Sequence, residues 1–151
     1  MVLWDPQHAH PYNGLFTDNP PLALWLRDAF ASHFSAFGDN PLLASLPVKP
    51  LTSCERSGDA RSSYCETVKG PHLDLRLTWS DLKAPYIVEY GPEHSATGAH
   101  EMFSLFVPAG AAEITMNGEV ASGKPFPKEM YGRHRGTAFL AFSETWLRAG
   151  K

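Results

Sequence analysis

Apolar residues recur along the chain with two periods, one helical and one strand-like. In "NPPLALWLRDAFASHFSAFG", residues 19–38, Leu22, Leu26, Ala29, Phe30, His33 and Phe37 fall on one stripe at about 100° per residue, which predicts a core-facing helix. Asn19 is placed to cap it, Pro20 and Pro21 suit its first turn, and Gly38 can supply a left-handed stop. From residue 51 the period shortens to two. "HLDLRLTW" puts Leu73, Leu75, Leu77 and Trp79 on one face and His72, Asp74, Arg76 and Thr78 on the other. "PYIVEY", "EMFSLFV", "AEITM" and "GTAFLAFSETW" read as further strands. The last is apolar on both faces as far as Ser143, which predicts a central, doubly covered strand.

No strand–helix–strand alternation occurs, which argues against a parallel sheet. The pattern predicts one α+β domain over residues 1–151: an irregular arm (1–18), the helix (19–38) and antiparallel β (51–148). The helix is expected to pack on a curved antiparallel sheet of six to eight strands, as a roll or small barrel, with a β-sandwich as the alternative. Asn117-Gly118 is the clearest turn, because both central residues of a type I′ hairpin need positive φ. "LTSCERSGDARSSYC" reads as another hairpin turning near Asp59-Ala60, which sets Cys54 opposite Cys65 as two thiols.

Composition adds limits. A chain of 151 residues with 43% hydrophobic and 19% charged residues is an ordinary globular composition. A formal charge of −3 supplies no basic footprint, so no nucleic-acid partner is expected. No apolar run approaches 18 residues, so no membrane partner is expected, and the start carries no signal-peptide pattern. The expected address is cytoplasmic, and a homodimer is among the options. "GEVASGKP" matches the first part of a phosphate-binding loop, but Pro125 stands where Ser or Thr would hold Mg²⁺.

Candidate chemistry concentrates in histidines, seven in all. "GPEHSATGAHEMF" carries His94, His100 and Glu101 between apolar strands, with Gly91 and Gly98 permitting movement over a pocket mouth. His100 with Glu101 ranks first as an acid–base pair, and His72 with Asp74 second, because His, Asp and Arg76 project one way from a rigid strand. Arg76 is the anion-stabilising group. His33 would face any cavity beneath the helix, and His134 in the basic cluster "YGRHRG" could meet an anionic substrate. Trp79 and Phe103 are the aromatic substrate contacts. "HAH" at 8–10 has ligand-like spacing but lies in an arm that nothing rigid holds.

The segment "HEMFSLFVPAGAAEITMNGE" resembles the part of cupin barrels where a strand bearing His and Glu leads into a Gly turn. The cupin metal signature, two histidines one residue apart followed by Glu, is absent there, so no family is assigned. Neither a metal nor any other cofactor is expected, since no rigid ligand set or Cys cluster is present. The expected function is a small cofactor-free lyase, isomerase or cyclase. It would use His/carboxylate acid–base catalysis on a compact hydrophobic or aromatic small-molecule ligand. The alternatives are a non-catalytic module binding a small molecule or a protein, and a cupin-like metal-dependent enzyme.

Overall fold

The computed structural model describes residues 1–3, 13–34, 38–130 and 133–147, with backbone alone at 2, 3, 130, 133 and 134. The described chain is mostly antiparallel sheet with short helices and no closed barrel. It divides into two compact units, residues 1–53 with 69–73, and residues 54–68 with 74–151.

In the first unit, β1 (Val2–Leu3) pairs antiparallel with β2 (Gly14–Thr17), which pairs parallel with β3 (Val48–Pro50). The arm is therefore partly strand: the Met1 ammonium donates to the Phe16 carbonyl at 2.9 Å, and Phe16 is buried. Helix α1 (Pro20–Trp25) is capped as expected, Asn19 Oδ1 accepting from Leu22 N at 3.2 Å. The helical path continues as a π turn (Leu26–Phe30) and a 3₁₀ turn (Ala31–His33), then becomes extended at Phe34. The ladder spacing thus changes twice before Phe34.

Of the stripe predicted to face a core, Leu22, Leu26 and Phe30 border a cavity with the core residues Phe16, Leu43 and Leu46 without being buried, and Phe37 lies outside the described residues. No residue of α1 or the two turns is buried, Trp25 is 57% exposed, and His33 is exposed at the end. A second short helix, α2 (Pro41–Ala44), is capped by Asn40, and its Leu43 joins Leu46 and Phe16 in the core of this unit.

The second unit is organised by one seven-stranded sheet. Its strands are β4 (Ser53–Gly58), β5 (Ser63–Gly70), β6 (Leu73–Leu82), β7 (Tyr86–Tyr90), β8 (Glu101–Met116), β9 (Glu119–Val120) and β12 (Phe139–Trp146). The order is β12-β8-β6-β5-β4, with β7 and β9 also paired to β8. β10 (Pro127–Met130) and β11 (Arg133–Gly136) form a separate antiparallel pair.

β8 joins what the pattern reads as two strands. Its first half lies between β7 and β12, and its second half pairs with β6 and β9. The changeover falls at Pro108-Ala109-Gly110. Pro108 has no N–H to donate, but its carbonyl accepts from Lys83 N at 2.8 Å. Opposite Gly110, Asp81 adopts φ +53°, and its carboxylate occupies the space a Cβ on Gly110 would need. β12 ends the strand order and buries only Leu140, so it is an edge strand and not the central one its apolar run predicts.

The Asn117-Gly118 turn forms as expected, with φ of 52° and 86° joining β8 to β9. The Cys54–Cys65 pairing does not form, and both thiols are free. Asp59 Oδ1 accepts from Arg61 N and Ser62 N, each at 2.8 Å, and Asp59 N donates to the Ser63 carbonyl. This Asx turn moves the hairpin centre beyond Asp59-Ala60, so Arg56 meets Glu66 and Cys54 slides past Cys65.

Candidate functional site: an aromatic cavity on the sheet

The alternation in β6 has a direct structural consequence. Leu75 is 1% exposed and belongs to the core, together with Val68 of β5. Two strand turns farther along the same face Trp79 is half-buried, and there the face borders a cavity of about 590 Å³. The volume lies within the usual range for small-molecule sites.

Rings from three strands converge on that cavity. Tyr64 of β5 lies 6.2 Å from Trp79 of β6 and 6.3 Å from Phe142 of β12, the latter at 88°. β12 pairs with the first half of β8 and β6 with its second half, and the rings of β5, β6 and β12 still meet at one cavity. Phe103 and Leu105 of β8 add to the lining, with Leu105 opposite Phe142 in the ladder.

One charged pair stands at the cavity wall. Arg56 Nε donates to Glu66 Oε1 at 2.8 Å, and both residues line the space. The Glu66 hydrogen bond, followed by its charge, raises the Arg56 pKa. The arrangement offers flat apolar faces and a self-compensated polar wall. That chemistry suits stacking and edge contact with a compact aromatic or hydrophobic molecule.

Trp79 and Phe103 are the two predicted contacts brought together here. The predicted histidines lie elsewhere. His100 Nδ1 shares a 2.7 Å hydrogen bond with Thr97 Oγ1, which also accepts from His100 N at 3.2 Å. Glu101 begins β8, and its Oε2 accepts from Trp146 Nε1 at 2.9 Å across the ladder. His94 is exposed in a 3₁₀ turn, with Nδ1 3.4 Å from Glu93 Oε1.

His72, placed on the polar face of the strand by the pattern, lies in the turn before β6 and is exposed. Asp74 and Arg76 are exposed on β6, opposite in sense to buried Leu75, and the Asp74 backbone bonds to Asn117. His33 is exposed and does not face a core. The His134 side chain, Tyr131, His8 and His10 lie outside the described residues. Among those residues no three His, Cys, Asp or Glu side chains gather at metal-binding spacing.

Sequence reasoning missed Tyr64, Arg56 and Glu66. The i, i+2 spacing of Tyr64 and Glu66 put them on one strand face, but the misplaced hairpin centre hid the partner of Glu66. Compared with protein-family models, curated proteins and solved structures, the chain matches none.

Proposed function

We propose that the protein is a binding module for a compact aromatic or hydrophobic small molecule, held against Trp79, Phe103, Tyr64 and Phe142. A sheet rolled around that ligand is part of the proposal. The convergence of rings from β5, β6 and β12 on one cavity of about 590 Å³ carries the reading. An acid–base enzyme would need proton-transfer groups on the cavity wall. The cavity holds the ion-paired Glu66 and the edge residue Glu144, and no histidine lines it. A cytoplasmic setting and a homodimer belong to the same proposal, the latter supported by exposed Leu22, Leu24, Trp25 and Leu26.

Isothermal titration with 2-naphthol and 1-naphthol, followed by the same titrations on Trp79→Ala, tests the binding reading. Saturable binding that weakens in the variant supports it. Equal affinity in both proteins would remove the cavity from the site.

A second reading, lyase or isomerase chemistry at His100, draws on the Thr97 hydrogen bond that fixes its imidazole. A general base is worth roughly 10²–10⁴ in rate, so His100→Ala should abolish a turnover found by substrate screening. Turnover within about threefold of the parent would end that reading. The cupin-like metal reading draws no support from the described residues, where His94, His100 and Glu101 form no ligand group.

A further inference from the structure

The basic cluster "YGRHRG" has a described member the aromatic cavity does not use. Arg135 lies on β11 with its guanidinium carbon 3.8 Å from the centre of the Tyr86 ring. Tyr86 in turn stacks on Phe106, 5.3 Å away at 19°, and Phe106 meets Phe139 edge-on at 5.4 Å. Phe106 is opposite in parity to Phe103 and Leu105, so its ring stands on the other face of β8, while Phe139 at the end of the column also borders the aromatic cavity.

Stacking fixes the guanidinium plane and leaves its N–H donors at the edge of that plane. Among the described residues Arg135 makes no ion pair, and its buried Nε has no hydrogen-bond acceptor. Nε is closed off from solvent, so a partner reaching Arg135 from a cavity would meet the terminal nitrogens of its unpaired guanidinium. Arg135 also lines a second cavity, of about 430 Å³. Its walls are largely Pro108, Pro125, Phe126, Pro127 and Gly136, and its other charged lining residue is the cation Lys83. Lys83 Nζ is held by Asp81 at 2.6 Å, outside the lining, which leaves Arg135 as the uncompensated charge among the described residues.

We infer that this cavity is a second binding site, for the carboxylate of a small organic acid with an apolar body. The carboxylate accepts two parallel N–H bonds from the two terminal nitrogens of the planar guanidinium, and the proline and phenylalanine walls cover the apolar part. Lysine cannot reproduce the fork, since its ammonium is a point charge with no planar edge.

The test is titration calorimetry with phenylacetate and its neutral analogue phenylacetamide, on the parent chain, Arg135→Lys, Arg135→Met and Arg56→Gln. The expected result is binding of phenylacetate and a loss of about tenfold or more for the amide and for both Arg135 variants. Arg56→Gln should bind phenylacetate as the parent does. Amide resonances of Lys83, Ala84, Gly110 and Gly136 should shift on addition of phenylacetate and stay still with the amide. Thermal melts of each variant separate lost binding from lost fold, and Arg135→Lys serves as the folded comparison if Arg135→Met melts early. No binding of phenylacetate by the parent overturns the inference, and so does unchanged affinity in folded Arg135→Lys. A loss confined to Arg56→Gln also overturns it, by moving the acid to the aromatic cavity.

Discussion

Replacing Trp79 with alanine separates the two jobs its ring performs. Trp79 is half-buried and its ring packs against Tyr64 at 6.2 Å. Full truncation of a buried tryptophan costs about 3–5 kcal/mol, so a half-buried one should cost about 2 kcal/mol of stability. For a chain of this size that corresponds to a fall in Tm of roughly 4–8 °C. In binding, loss of roughly 60 Å² of ligand contact at about 25 cal/mol per Å² amounts to about 1.5 kcal/mol. The aromatic geometry contributes about 0.5 kcal/mol more. The sum, about 2 kcal/mol, is roughly a 30-fold weaker Kd for 2-naphthol. Trp79→Phe keeps a ring face and should stay within about threefold of the parent, because volume-similar swaps are tolerated. Titration calorimetry reads affinity and differential scanning calorimetry reads Tm. A Trp79→Ala protein that is folded, destabilised as expected, and still binds 2-naphthol as tightly as the parent would refute the assignment of the ring to the site.

Leu75→Ala empties the most buried position of the sheet and should cost about 3–5 kcal/mol in urea denaturation, against little change for Asp74→Ala on the exposed face. Gly110→Ala should destabilise by about 1–3 kcal/mol, because its Cβ would meet the Asp81 carboxylate. Asp81→Gly should recover part of that loss in the double variant, as measured by the same denaturation. Backbone N–H donors of Ser62 and Arg61 hold the Asp59 carboxyl at about 2. A depressed carboxyl stabilises the turn above its unfolded value of about 3.9, and that contribution is lost as pH falls toward 2. NMR should therefore show the amides of Arg61 and Ser62 shifting between those limits, and Asp59→Ala should abolish the dependence. Glu101→Ala should move the Trp146 indole N–H resonance, since Oε2 is its acceptor at 2.9 Å; an unmoved resonance would show the bond is not populated.

Strict local alternation made part of this structure readable. The β6 pattern separates Leu75 from Asp74 and Arg76 because a strand reverses side-chain direction at each residue, and both cavity-facing Trp79 and core-facing Leu75 follow from it. Asn19 and Asn117-Gly118 were equally legible, since caps and type I′ turns depend on residues only a few positions apart.

What depends on register or on distant strands was not. The Asx turn at Asp59 moved the β4–β5 register and undid the cysteine pairing. β12 is apolar on both faces, yet an edge strand carrying cavity rings reads the same as a buried central strand. The helix stripe of Leu22 and Leu26 has the period of a packed helix, but period does not tell close packing from the loose wall of a cavity, and these side chains stay partly exposed beside Phe16, Leu43 and Leu46. The histidines drew attention through chemistry rather than position. Thr97 binds one, Glu93 lies beside another, and the aromatic cavity forms from residues with no motif between them.

The most direct test of the central claim is a ¹H–¹⁵N and aromatic ¹H–¹³C NMR titration of the parent chain with 2-naphthol. The account predicts saturable shifts concentrated at Tyr64, Trp79, Phe103 and Phe142, with the His94–Glu101 loop unmoved. Shifts confined to His94, His100 and Glu101, with the four rings unchanged at saturation, would contradict it.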